Sequence, residues 1–217
     1  MQIPLFPLRT VLFPGMPLPL RIFEDRYKTM VNELLERGGG FGVVLIREGE
    51  EVGGGARPYT AGTIAHIEEC TPVSGGRFSL TARGTQRFRL LRLLPPRPYP
   101  FGEIELMADE PAEPTPQLQR ALETVRATFP VYFRLALSLT DQWAQGLKLP
   151  ASPNRLVDFV APWLQTEEDV KQRLIDIEAG DQRVAALAEI LDELLGRTRE
   201  EVLAYRRRKF NGMGAEN

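Results

Sequence analysis

Residues 3–27 read IPLFPLRTVLFPGMPLPLRIFEDRY, and this stretch decides the fold. Its leucines, isoleucines and phenylalanines ask for strands. Pro4, Pro7, Pro14, Pro17 and Pro19 argue against ordinary central strands, because proline cannot donate to a sheet ladder. Edge strands and bulges are therefore expected, joined by a turn at Phe13-Pro14-Gly15-Met16. From Glu24 to Arg37 the pattern changes. Tyr27, Met30, Val31, Leu34 and Leu35 recur at helical spacing, and Gly38-Gly39-Gly40 ends that helix.

Beyond the glycines, Phe41–Ile46, Gly62–Cys70, Phe78–Ala82, Gln86–Leu94 and Phe101–Met107 are short runs rich in branched and aromatic residues. Glycine clusters at 53–55 and 75–76 separate several of them. An antiparallel meander is expected, closed or partly closed into a barrel so that its edges are hidden. Ala108 to Pro116 is acidic and proline-rich, which sets the boundary between a β-rich domain over residues 1–110 and a helical bundle over residues 111–217. Thr115 caps a helix with Pro116 at its first position, carrying Leu118, Leu122 and Val125; Pro130 is expected to kink or split it, with a second helix to about Gln145. Ser152-Pro153 opens another helix, and Thr166 to Asp169 resembles a capping box leading into Val170–Ile177. From Asp181 a long helix through Val184, Leu187, Ile190, Leu191, Leu194 and Leu195 runs towards Lys209. The fold class is α+β.

The 217 residues are 43% hydrophobic and 26% charged, which excludes a disordered or fibrous chain. No apolar run approaches the roughly 18 residues of a membrane span, and no secretory leader pattern appears, so a cytoplasmic location is expected. The single cysteine, Cys70, rules out an internal disulfide. The net charge of −2 is unevenly spread: residues 1–100 carry +4 and residues 101–217 carry −6. Only Lys28, Lys148, Lys171 and Lys209 are lysines among the 27 basic residues.

The opening run resembles the start of the Lon amino-terminal domain at Pro7-Leu8-Arg9, Phe13-Pro14-Gly15, Pro19-Leu20, Ile22-Phe23-Glu24 and Arg26-Tyr27. The resemblance continues through Phe41–Ile46, Gly62–Ile67, Gly84–Leu90, Ser152–Ala161 and Lys171–Ile175. It implies a PUA-like β pseudo-barrel with one short helix, followed by a helical bundle that ends in a long helix. It also implies a stand-alone substrate-binding module without the ATPase and peptidase domains, one that recognises unfolded or hydrophobic polypeptides or a partner protein. A related domain in cereblon lies beside a zinc-binding domain, whose paired Cys-x-x-Cys motifs are absent here.

No catalytic residue is expected. No Gly-Lys dipeptide occurs, so there is no phosphate loop, and Ser74, Ser79, Ser138 and Ser152 do not sit in nucleophile elbows. His66 and Cys70, four residues apart on a strand, lie about 13 Å from one another, too far to share a metal. No metal or cofactor is expected. Glu68, Glu69, Glu103 and Glu105 alternate as on the wet face of a sheet rather than as acid–base pairs. Two binding surfaces remain. Phe13, Met16, Ile22 and Phe23 surround a proline-stiffened turn and are candidate contacts for an extended apolar polypeptide, although each residue type is more often core. Arg83, Arg87, Arg89 and Arg92 form the alternative, a nucleic-acid surface on an arginine-rich strand of a PUA-like module.

Overall fold

The computed structural model describes residues 1–213 apart from 54, 109–113 and 144–145, with only the backbone described at 208–213. The core of the expected domain boundary and the far end of the helix expected near Gln145 lie outside the described residues. The chain divides into two compact units, Met1–Asp109 with Glu167–Glu178, and Glu110–Thr166 with Ala179–Asn217. Among the described residues no helix is long and apolar enough to cross a membrane.

The first unit holds β1 (Gln2–Leu8), β2 (Pro17–Ile22), α1 (Asp25–Arg37), β3 (Phe41–Glu48), β4 (Arg57–Val73), β5 (Arg77–Leu94), β6 (Phe101–Leu106) and α4 (Glu168–Asp176). The strand order is β2-β5-β4-β3-β1-β6, and β5 also pairs with β6, so five strands close into a ring and β2 is an appended edge. One pairing departs from the expected meander. β1 runs parallel to β3, with Leu5 to Leu8 opposite Gly42 to Leu45. The intervening β2 and α1 supply the crossover that a parallel pair requires.

β1 is also not an edge strand, contrary to the expectation from Pro4 and Pro7. It pairs with β6 at residues Gln2 to Pro4 and with β3 at Leu5 to Leu8. Each proline therefore lies where β1 is paired on one side only, which accommodates the missing donor. The runs Phe78–Ala82 and Gln86–Leu94 are one strand, β5, with register shifts against β4 between Ile64 and Ala65 and between Ile67 and Glu69.

Two apolar clusters fill this unit. Phe6, Tyr27, Met30, Val31 and Phe41 join α1 to the sheet, with Phe6 stacked on Tyr27 at 4.1 Å between ring centroids. Leu5, Ile64, Phe88, Leu90 and Ile104 form the other. The second cluster needs glycine beside it. A Cβ on Gly62 would stand 2.3 Å from the Val43 carbonyl oxygen and 2.8 Å from the Phe88 ring, and one on Gly42 would stand 2.7 Å from the same ring.

α4 belongs with the strands. Its first-turn Glu168 accepts a hydrogen bond from the Val11 N–H at 2.6 Å, and Gln172 Nε2 donates to the Ala61 carbonyl at 3.0 Å. The expected capping box is replaced: Glu167 is the N-cap, without a side-chain bond to the helix.

The second unit contains α2 (Pro116–Ser138), α3 (Pro153–Val160), a 3-10 turn at Ala161–Trp163 and α5 (Gly180–Met213). Thr115 caps α2 by accepting from the Leu118 N–H at 3.1 Å. α2 runs through Pro130 instead of splitting there. Val125, Phe129, Tyr132, Phe133 and Ala136 are buried around the proline, and that burial outweighs the roughly 3 kcal/mol that a helix-interior proline costs. The second helix expected from Pro130 to about Gln145 is instead the continuation of α2 to Ser138, and residues 139–143 are not helical. α5 lies beside α2 and points the same way, since Thr128 meets Asp192 and Asp141 meets Tyr205. Arg183 and Asp158 form a buried ion pair at 2.7 Å within this unit.

Candidate functional site

The four apolar candidates separate sharply. Phe13 is fully buried and Ile22 is 2% exposed, so both are core residues rather than contact residues. Alternation along β2 explains Ile22, because Leu18 and Ile22 face the core. Phe13 is held by the turn that follows it. Met16 N–H donates to the Phe13 carbonyl at 3.0 Å, Gly15 N–H to Gly84 at 2.8 Å and Gly84 N–H to Met16 at 3.0 Å. The turn is thus clamped onto β5 at a glycine where a Cβ would lie 2.4 Å from the Phe13 carbonyl oxygen. Met16 is half-buried against the core, whereas Phe23, just past β2, is 55% exposed.

Phe23 opens onto a groove. One cavity of about 430 Å³ is lined by Pro7, Tyr27, Glu51, Leu93, Pro98 and Phe101 among others. A smaller one of about 150 Å³ shares Pro7, Tyr27 and Glu51 with it and extends to Val52 and Phe23. A third of about 350 Å³ shares Arg21, Ile22 and Phe23 with the second and ends at Val73 and Phe78. The second cavity shares lining residues with each of the other two, which places the three next to one another on the β unit. Phe23, Val52, Val73 and Leu93 leave 42–56% of their surface exposed along it.

Tyr27 lines the first two cavities. Arg26 sits 4.5 Å above the Tyr27 ring and pairs with Glu24 at 2.8 Å. Burial pushes the Tyr27 phenol up to about 12, so it stays neutral and apolar in character at ordinary pH. Tyr99 donates to Glu33 at 2.9 Å, and burial followed by that contact raises it to about 12 as well. The groove walls at Val52, Leu93, Pro96, Pro98 and Pro100 were not among the sequence candidates. For Leu93 and the prolines the signal was present as an apolar, proline-rich run at 93–100, but a proline-rich loop betrays no facing wall without the fold.

The arginine strand is engaged internally. Arg87 is 1% exposed, and its Nη1 donates to the carbonyls of Ile175 at 3.1 Å and Ile177 at 2.5 Å, at the end of α4. It is a buried helix-terminating residue, which corrects its candidacy as a phosphate contact. Arg87 and Arg89 do share one sheet face as expected, but the face is covered by α4, and Arg89 pairs with Glu178. Arg83 pairs with Glu68 at 2.5 Å and donates to the Gly15 carbonyl at 2.8 Å, while Arg92 pairs with Glu103 at 2.5 Å. Glu103 thereby has an arginine partner rather than a second carboxylate. Among the described residues no group of three His, Cys, Asp or Glu side chains is placed to hold a metal. Burial pushes the Cys70 thiol up, away from the reactive thiolate form.

Comparison with known proteins agrees with this architecture. The model of the ATP-dependent protease La (LON) substrate-binding domain matches residues 2–193. The Lon protease of Anaeromyxobacter dehalogenans is 26% identical over 200 residues, spanning 91% of this chain and 23% of that protein. Lon protease 2 of Myxococcus xanthus is 26% identical over the same length, spanning 91% and 24%. The chain therefore spans about a quarter of the length of these relatives. The crystal structure of a Lon N-terminal domain protein from Xanthomonas campestris superposes with a TM-score of 0.64 and 26% identity, covering 86% of this chain and 96% of that one. The N-terminal domain of the Mycobacterium avium complex Lon protease shares the fold, with a TM-score of 0.58 at 17% identity, covering 88% and 98%. With the match running from the first strand into the long final helix, the chain belongs to the Lon substrate-binding domain family.

Proposed function

We propose that this protein is a non-catalytic recognition module that holds unfolded or hydrophobic polypeptide segments in the groove around Tyr27 and Phe23. The observation that carries this function is a row of three neighbouring cavities whose linings include exposed Phe23, Val52, Val73 and Leu93, with Pro96, Pro98 and Pro100 in the first. Neighbouring cavities with apolar side chains at intervals suit an extended chain, which presents a side chain every 3.3 Å or so. The proline walls of the first cavity limit the ordering cost of binding. A partner protein that offers such a segment would be held in the same way. Nucleic-acid binding draws less support, because Arg83, Arg89 and Arg92 are paired with glutamates and Arg87 is buried.

The test is a titration of a fluorescent, permanently unfolded polypeptide, with a mixed-sequence RNA alongside, at low and high salt. Salt-resistant polypeptide binding is expected, weakened by about fivefold or more in Phe23→Asp, with the thermal unfolding of the variant little changed. Failure to bind polypeptide, or steeply salt-dependent binding of RNA alone, would overturn the proposal.

A further inference from the structure

We propose that the cavity lined by Phe23, Val73 and Phe78 is a receptor for the free carboxyl terminus of a polypeptide whose last side chains are apolar. This deepens the polypeptide-recognition function above and rests on it. Arg21 lies opposite Ser79 across β2 and β5, and Arg77 lies two residues along β5 from Ser79. Residues directly opposite, and residues two apart on a strand, share a face, so Arg21 and Arg77 are diagonal neighbours on one side of the sheet. Both line this cavity of about 350 Å³, together with Phe23, Val73 and Phe78.

Several arginines of this unit have a carboxylate partner. Arg9 is answered by Glu50, Arg26 by Glu24 and Arg83 by Glu68. Among the described residues no carboxylate pairs with Arg21 or Arg77, and none lines this cavity. Arg77 Nε donates to the Ser74 carbonyl at 2.9 Å and its Nη2 to the Ser74 hydroxyl at 3.4 Å, contacts that steady the guanidinium without neutralising it.

Two arginines in the lining of one cavity, with no carboxylate among its other residues, favour an anionic group there. The ligand must then bring one anionic group with apolar surface attached. A chain terminus does so: its carboxylate accepts from the planar guanidinium donors, and its last side chains meet Phe23 and Val73. An internal segment brings no backbone charge to this position. The cavity volume lies in the range of small-ligand sites, enough for a terminal residue or two.

The full chain is titrated with a fluorescent, unstructured peptide with apolar final residues, prepared once with a free carboxyl terminus and once as the carboxyl-terminal amide. The free acid is expected to bind about tenfold or more tightly than the amide. That preference is expected to vanish in the Arg21→Gln, Arg77→Gln double variant, while its thermal unfolding and its affinity for the amide stay as in the parent. Equal binding of acid and amide overturns the carboxyl-terminus proposal and leaves polypeptide recognition standing. An acid preference that survives in the double variant overturns the assignment to this cavity. Binding of neither form removes both proposals, and capture of phosphatidylserine vesicles in the absence of peptide binding reassigns the two arginines to a lipid surface.

Discussion

Arg87 shows how one side chain joins distant parts of the sequence. It leaves β5 from inside the sheet and donates to the carbonyls of Ile175 and Ile177, some ninety positions away in the chain. Those carbonyls close a helix whose terminal dipole is negative, which is where a guanidinium is most welcome. Arg87→Ala is expected to destabilise the protein by about 2–4 kcal/mol in urea unfolding, because it leaves buried acceptors unanswered and a void behind. Arg87→Lys should recover only part of this, since a compact ammonium cannot reproduce the spread of the guanidinium donors. Asp176, in the last turn of the same helix, carries the opposite bias. Burial raises its carboxyl above the usual range, against the hydrogen bond from Gln172 and the nearby charge of Arg89, which lower it. The folded state therefore binds this proton more tightly than the unfolded chain. The associated stabilisation is present below the unfolded carboxylate range and is lost as pH rises through the raised folded value. Asp176→Asn should consequently be more stable than the parent at neutral pH, with the difference fading in acid, and thermal melts across that interval check it.

The strands close into a ring because small residues sit where the apolar side chains of one cluster crowd the backbone. Gly62 and Gly42 lie against the Phe88 ring, and Gly102 lies against Leu5 and Leu90. Gly62→Ala adds a Cβ 2.3 Å from a backbone oxygen, a clash that no rotamer change relieves. A loss of about 1–3 kcal/mol in denaturant midpoint measurements is expected, with the helical unit unaffected in its own contacts. The period-two pattern of the strands and the 3.6-residue pattern of α1 were legible from spacing alone, because those periods follow from local backbone geometry. The parallel pairing of β1 with β3 was not, since pairing partners are chosen by packing between segments far apart in the chain. The passage of α2 through Pro130 was hidden for the same reason. A local penalty of known size predicts a break, and only the burial of Phe129, Tyr132 and Phe133 shows that the penalty is outweighed.

The two units are not two halves of the sequence. Glu167–Glu178 belongs with the strands although the helices before and after it form the other unit. A chain cut after residue 109 keeps every strand but loses α4, and with it the acceptors of Arg87, the Gln172 contact to Ala61 and the Glu168 contacts to Thr10 and Val11. Such a fragment is expected to melt several degrees below the β unit of the full chain, and to regain stability when a peptide spanning Glu167–Glu178 is added; hydrogen exchange at β5 measures both. Strand and helix types, the stop at Gly38, the cap at Thr115 and the resemblance carried by residues 3–27 were readable one segment at a time, because each depends on neighbours within a few residues. Which of Phe13, Met16, Ile22 and Phe23 reaches the surface, which arginines keep an unanswered charge, and which loop faces Tyr27 across the groove depended on the closed sheet. Burial and charge pairing are properties of space rather than of the chain's order, so only the tertiary structure decided them.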